Sequence, residues 1–253
     1  MSFIDQDDKV LKHTGWDRVY IPEPEESKYA ITGFESQVIT FALNEGDTVK
    51  GEPGVMMYTS PGVEQECSFD GCYARCCAGE GCCVMNFTHN GPDKGFVALT
   101  PNYPMQKVIA VDLSSQDVGG KLIAQQGAFM ASVGNVEIGM SVDCNLKTCC
   151  CAGTGLVRQK LEGDGLALIA ANGTIIQKVL LEGETIIVDS NCVLAFANSC
   201  QLDIRTAGGI VGMIGGGEGI FNTTLTGPGL VLVQSMNEIT FREAMIAQKL
   251  YTR

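Results

Sequence analysis

From Tyr29 onward, apolar and β-branched residues fall in short segments separated by Gly, Asn and Pro at close spacing. A 3.6-residue period is absent until the last residues, so the pattern predicts an all-β chain, a β-sandwich or barrel. Residues 1–27 end in Pro22, Glu23, Pro24, Glu25 and Glu26, which disfavour both helix and sheet interiors and read as an extended acidic lead-in. At the other end, Ala244, Met245, Ile246, Leu250 and Tyr251 sit among good helix formers, and a short C-terminal helix is expected in the tail 240–253.

Self-similarity adds an architecture to this pattern. Gly46-Asp47-Thr48-Val49 is answered by Gly183-Glu184-Thr185-Ile186 and more loosely by Gly120-Lys121-Leu122-Ile123. A second marker runs Gly79-Glu80-Gly81, Gly153-Thr154-Gly155 and Gly217-Glu218-Gly219, and its last Gly follows the first marker's Gly by 35, 35 and 36 residues. Strand-like runs then open at Gly95, Gly165 and Gly229, spaced 14, 10 and 10 residues further on. The reading is three tandem copies, at approximately 28–103, 104–170 and 171–239. Units joined head to tail can close through 120°, so a pseudo-threefold arrangement is predicted. Gly46, Gly81, Gly155, Gly183, Gly219, Gly227 and Gly229 are assigned to structural turns, because Gly tolerates positive φ cheaply. No Lys-Ser or Lys-Thr follows any Gly-x-Gly marker, which argues against a phosphate cradle.

Charge narrows the partners. A formal charge of -12, with 17 Lys and Arg scattered along the chain, repels phosphate backbones, so no nucleic-acid partner is expected. No apolar run reaches the roughly 18 residues of a spanning helix; no transmembrane segment is expected, and membrane contact could only be peripheral. Met1 to Tyr20 has neither a basic n-region nor an apolar h-region, and a cytoplasmic location is the expectation.

Twelve cysteines are the most unusual feature. Cys76-Cys77-Ala78-Gly79 and Cys150-Cys151-Ala152-Gly153 occupy equivalent places before the second marker. No CxxC knuckle occurs, and the nearest spacings are Cys72 to Cys76 and Cys77 to Cys82. On a strand, neighbouring cysteines point to opposite faces, although Cys149 and Cys151 could share one. Cys72, Cys76, Cys77, Cys82, Cys149 and Cys151 are therefore the candidates for a thiophilic metal such as zinc. The bland alternative is inert buried or turn thiols, and disulfides are disfavoured in a reducing compartment.

Other chemistry is sparse. Of two histidines, His13 lies in the lead-in and His89 precedes the Asn90-Gly91 turn, where a solvated loop His is expected. There is no Gly-x-Ser-x-Gly elbow. Acidic pairs such as Glu182 with Glu184 and Asp112 with Asp117 read as solvating charges. No catalytic constellation is recognisable, and no cofactor is implied apart from the metal alternative.

The runs Gly216-Gly217-Glu218-Gly219-Ile220-Phe221, Leu225-Thr226-Gly227-Pro228-Gly229 and Val233-Gln234-Ser235, with Gly127-Ala128-Phe129-Met130-Ala131, resemble the family known as altered inheritance of mitochondria 24. The resemblance covers roughly Tyr29 to Ser235. It implies a tryptophan-attenuation-protein-like β-sandwich with internal repeats and supplies no catalytic residues. Mitochondrial members of the family are linked to inner-membrane organisation, and bacterial members are cytosolic with no established activity. The expected function is a non-enzymatic β scaffold or interaction protein with a protein partner or self-association; the alternative is a cysteine-cluster metal-binding or redox-sensing protein.

Overall fold

In a computed structural model, the β-branched segments form eighteen strands among the described residues. It describes residues 28–69, 72–77, 81–142, 157–206 and 221–236, together with Phe241 and Ile246. The lead-in lies outside these residues, and so does the expected C-terminal helix apart from Phe241 and Ile246. The chain is all-β in class, with several antiparallel sheets.

The first strands are β1 (Tyr29–Thr32), β2 (Val38–Leu43), β3 (Thr48–Gly51), β4 (Met56–Thr59), β5 (Val63–Ser68), β6 (Val84–His89) and β7 (Gly95–Leu99), with a short helix α1 (Cys72–Cys77) between β5 and β6. There follow β8 (Gln106–Asp112), β9 (Lys121–Ala124), β10 (Phe129–Val133), β11 (Val136–Val142), β12 (Val157–Gly163) and β13 (Leu166–Leu180). Last come β14 (Thr185–Asp189), a 3-10 turn (Ser190–Cys192), β15 (Val193–Ala197), β16 (Gln201–Thr206), β17 (Phe221–Thr226) and β18 (Gly229–Met236).

Their antiparallel ladders follow one scheme three times. In the first round β7 lies between β2 and β4, and β6 between β3 and β5. In the second, β13 lies between β8 and β10, and β12 between β9 and β11. In the third, β18 lies between β13 and β15, and β17 between β14 and β16. Strand β13 serves two rounds because a register shift between Asn172 and Ile175, with Gly173 at φ +72°, redirects its second half from β8 to β18. The inferred boundary at 170/171 thus falls inside a continuous strand.

Successive rounds are stitched by one ladder each. β10 pairs β3 and β15 pairs β9. The same bulge marks β4, β10 and β15, where the ladder register shifts between Met56 and Tyr58, Phe129 and Ala131, and Val193 and Ala195. The extra residue of each bulge is Met57, Met130 or Leu194. No ladder joins β4 to β14, the pair that would complete the series.

Apolar side chains collect in three clusters. The cluster around Ile39, Val49, Phe87 and Leu99 also takes Met130 and Ala131 from β10. The cluster around Leu122, Phe129, Leu161 and Ile169 takes Leu194 and Ala195 from β15. The third, around Val193, Phe196, Leu225 and Val231, takes Ile123 from β9 but nothing from β4.

The turn glycines divide. Gly46 (φ +84°), Gly183 (φ +75°) and Gly229 (φ +139°) adopt the conformation that favours glycine. Gly81 follows residues outside the described set; its carbonyl accepts from Arg75, as described below. Gly227 precedes the cis Gly227–Pro228 bond, and Gly155 and Gly219 lie outside the described residues. No helix among the described residues is long and apolar enough to cross a membrane.

Candidate thiol centre and open strand edges

The cysteine-rich segment 69–83 connects β5 to β6. Its base is tied by a Cys67–Cys83 disulfide with Cα atoms 5.9 Å apart, which crosses the end of the ladder diagonally: Cys67 pairs with Met85, and Cys83 stands one residue beyond the last pair, Ser68 with Val84. Within the loop, Cys72 N donates to Phe69 O at 3.0 Å and opens α1. The helix puts Cys72 and Cys76, four residues apart, on one face and only about 6 Å apart along its axis, where an extended strand would separate them by about 13 Å. A second disulfide joins Cys76 to Cys82, with Cα atoms 5.6 Å apart. The Sγ atoms of Cys72, Cys76 and Cys82 all lie within 4.8 Å of one another. Of the sequence candidates, these three come together, Cys77 ends α1, and Cys149 and Cys151 lie outside the described residues. Two corrections follow for this segment: its vicinal pair Cys76-Cys77 sits on a helix, and Cys76, Cys82 and Cys83 are in disulfides, Cys83 with Cys67 of β5.

Arg75 fixes the centre from beneath. Its side chain is 1% exposed and pairs with Glu52 through Nη2. Its Nε donates to Gly81 O at 3.0 Å, and its guanidinium lies 5.9 Å from the Phe129 ring centroid. One residue thus grips the backbone beside Cys82 from a position adjacent to Cys76, so the two sulfurs are held near each other by more than their bond. Burial holds the Glu52 carboxyl above its ordinary value, against the opposing hydrogen bond and charge of Arg75. Sequence reading missed both residues; Arg75 between cysteines and Glu52 beside Pro53 carry no motif.

This arrangement supports two kinds of chemistry. With Cys76 and Cys82 reduced, three thiolates could hold a thiophilic ion with an open fourth position. With them oxidised, the free Cys72 stands within reach of a disulfide, the geometry thiol exchange needs. The remaining described free thiols are poorer nucleophiles. Burial pushes the Cys200 thiol up, and burial followed by the Asp189 charge does the same to Cys192. Cys200 Sγ also donates to Pro228 O at 3.5 Å.

His89 is another correction. It is buried at the end of β6, with Nε2 2.6 Å from Asp93 O and the ring packed on Gly91 and Gly95, where no side chain competes for the space. Glu184 caps its own turn by accepting from Leu181 N at 2.9 Å and pairs with Lys178 at 2.6 Å, which lowers its carboxyl. Asp112 accepts from Ser114 in the same local way.

A second surface is formed by β4 and β14, each paired on one edge only, β4 with β7 and β14 with β17. Met57, Tyr58 and Ile187 are large apolar residues on β4 and β14, and all are exposed. Leu181, Ile176 and Val179, near the start of β14 and on β13, are exposed as well.

The family model for mitochondrial biogenesis AIM24 matches residues 29–236. An uncharacterized protein of Streptococcus pyogenes serotype M6 is 31% identical over 160 residues, which cover 63% of this chain and 61% of that protein. The match thus spans less than two thirds of this curated relative. A crystal structure of a Streptococcus pyogenes protein superposes with a TM-score of 0.66 at 25% identity, covering 87% of this chain and 98% of that one.

Proposed function

The chain belongs to the mitochondrial biogenesis AIM24 family, and from that premise we propose that it acts as a β scaffold that binds other protein chains rather than as an enzyme. The curated relative it matches is described as uncharacterized. The observation that carries the reading is the open, apolar β4 and β14 edges: unpaired strand backbone flanked by exposed Met57, Tyr58 and Ile187 is a surface for another chain. The charge of -12 favours a protein partner over nucleic acid. The working compartment in this reading is the cytoplasm.

Cross-linking at natural expression level, followed by mass spectrometry, tests the scaffold. The expected result is cross-links from β4 or β14 residues to a protein at fixed stoichiometry. A chain that runs as a lone monomer with no cross-link at either strand refutes it.

The convergence of Cys72, Cys76 and Cys82 favours a second reading, a thiol centre that takes a thiophilic metal when reduced. Zinc or copper at one equivalent in anaerobically reduced protein, lost in Cys72→Ser, supports this reading; metal-free protein refutes it.

A further inference from the structure

The three rounds of pairing allow each strand to be placed against its counterparts residue by residue. Gly51, Ala124 and Val188 are equivalent, because they pair with Met85, Gln159 and Thr223 in the matching ladders, and so are Lys50, Ile123 and Ile187. On the other side, Tyr58, Ala131 and Ala195 each follow the bulge. At the first junction Gly51 faces Ala131 and Lys50 faces Ser132; at the second Ala124 faces Ala195 and Ile123 faces Phe196. Both junctions are locked by one further bond at the bulge: Glu52 N to Met130 O at 2.9 Å, and Gln125 N to Leu194 O at 2.7 Å.

The third junction follows by equivalence. Val188 would face Tyr58, Ile187 would face Thr59, and Asp189 N would donate to Met57 O. None of these contacts is made within the chain. The consequences are visible on both sides. Met57 is 57% exposed, whereas Met130 and Leu194 are each 1% exposed. Ile187 is 67% exposed, whereas Ile123, the apolar equivalent, is 4%; the third equivalent, Lys50, is charged and exposed at its closed junction. Ile186 is only partly buried, whereas Val49 and Leu122, its equivalents, are fully buried. The third core cluster lacks the bulge residue that each of the other two receives from the following round.

We propose that the missing partner is a second copy of this chain, with β4 of one copy completing β14 of the next in the register just given. This deepens the scaffold reading and rests on it. The two edges belong to opposite ends of the strand series and differ from each other, so the contact is heterologous and propagates head to tail. Ring or filament depends on whether the accumulated rotation closes. The occupant is fixed by the chain's own repetition: the bulged strand β4 is the third member of a set whose other two members fill this kind of edge.

Native mass spectrometry with Met57→Glu and Ile187→Glu tests the inference. Both positions are exposed, so each variant is expected to keep the wild-type circular dichroism and melting temperature. Wild type is expected as an oligomer at micromolar concentration, and each variant alone as a monomer. A 1:1 mixture of the two is expected to form a dimer and stop there, since only the β14 edge of Met57→Glu and the β4 edge of Ile187→Glu remain sound. A mixture that stays monomeric, or variants that still assemble, overturns the proposed junction. A monomeric wild type with β4 and β14 amides protected from hydrogen exchange also overturns it, by showing that the chain closes on itself. A monomeric wild type that still cross-links to another protein through β4 overturns the second-copy inference while the scaffold reading survives.

Discussion

Arg75→Met tests the support of the thiol centre most directly. The substitution removes the ion pair with Glu52, the Nε bond to Gly81 O and the guanidinium over Phe129, while Met keeps much of the stem's volume. Removing one partner of a buried pair costs about 3–5 kcal/mol, because the other charge is left uncompensated. Glu52 softens this, since burial already raises its carboxyl and protonation is accessible to it. The lower end, about 3 kcal/mol, is therefore expected. For a chain of this size that is a fall in Tm of roughly 6–12 °C. Thermal and urea unfolding followed by circular dichroism at pH 7 measure it, with an unchanged urea slope as the check that the unfolded state is the same. The double variant Arg75→Met with Glu52→Leu is expected to recover most of the loss, since an apolar pair in place of a buried ion pair is often neutral. A fall of under about 2 °C for Arg75→Met, or a double variant no better than the single, refutes the claim that this pair holds the loop.

Glu52→Gln carries a pH signature. The folded carboxyl lies above its ordinary value of 4.5, so its contribution is full below that pH and is lost as pH climbs through the raised value. Wild type should hold its largest advantage over Glu52→Gln near pH 4 and a smaller one at pH 8 by thermal melts; an advantage that grows with pH contradicts this. Gly183→Ala meets no atom within 4 Å but inherits φ +75°, so a backbone cost of about 1–2 kcal/mol in urea titration is expected, and a neutral result contradicts the turn assignment. In brief alkylation of non-reduced native protein, peptide mapping should show Cys72 modified well before Cys200; equal rates contradict the burial argument.

Strand identity and turn positions were legible because they are local: β-branched runs between glycines can do little else, and Gly46 and Gly183 stand where the markers put them. The α1 helix was hidden because its residues were read as strand cysteines, although the four-residue step from Cys72 to Cys76 with Tyr73, Ala74 and Arg75 between them is a helical spacing. The burial of His89 was hidden for a different reason. Whether a residue before an Asn-Gly turn is solvated depends on whether the turn folds back over it, and here Gly91 and Gly95 leave room for the ring. Pairing partners were not legible at all. That β10 joins β3 and β15 joins β9 is set by contacts between residues more than 70 positions apart, which no local window carries.

Glu52 connects the two surfaces. Its backbone N–H closes the first junction on Met130 O, and its carboxylate holds Arg75, which in turn holds the loop of Cys76 and Cys82. The equivalent Gln125 closes the second junction in the same way, but its Oε1 accepts from Gln234 Nε2 at 2.7 Å. At the open third edge the equivalent is Asp189, whose carboxylate turns inward to accept from Asn191 N at 2.8 Å. One position in the scheme therefore combines a junction hydrogen bond with a side chain free to specialise, and in the first round that side chain supports the thiol centre. A change in the Arg75–Glu52 pair should accordingly be felt in the β3–β10 ladder as well as in the cysteine loop. Hydrogen exchange of the Glu52 amide in Arg75→Met reports this: faster exchange there, with β15–β9 unaffected, is the expected outcome, and an unchanged Glu52 amide would separate the thiol centre from the junction.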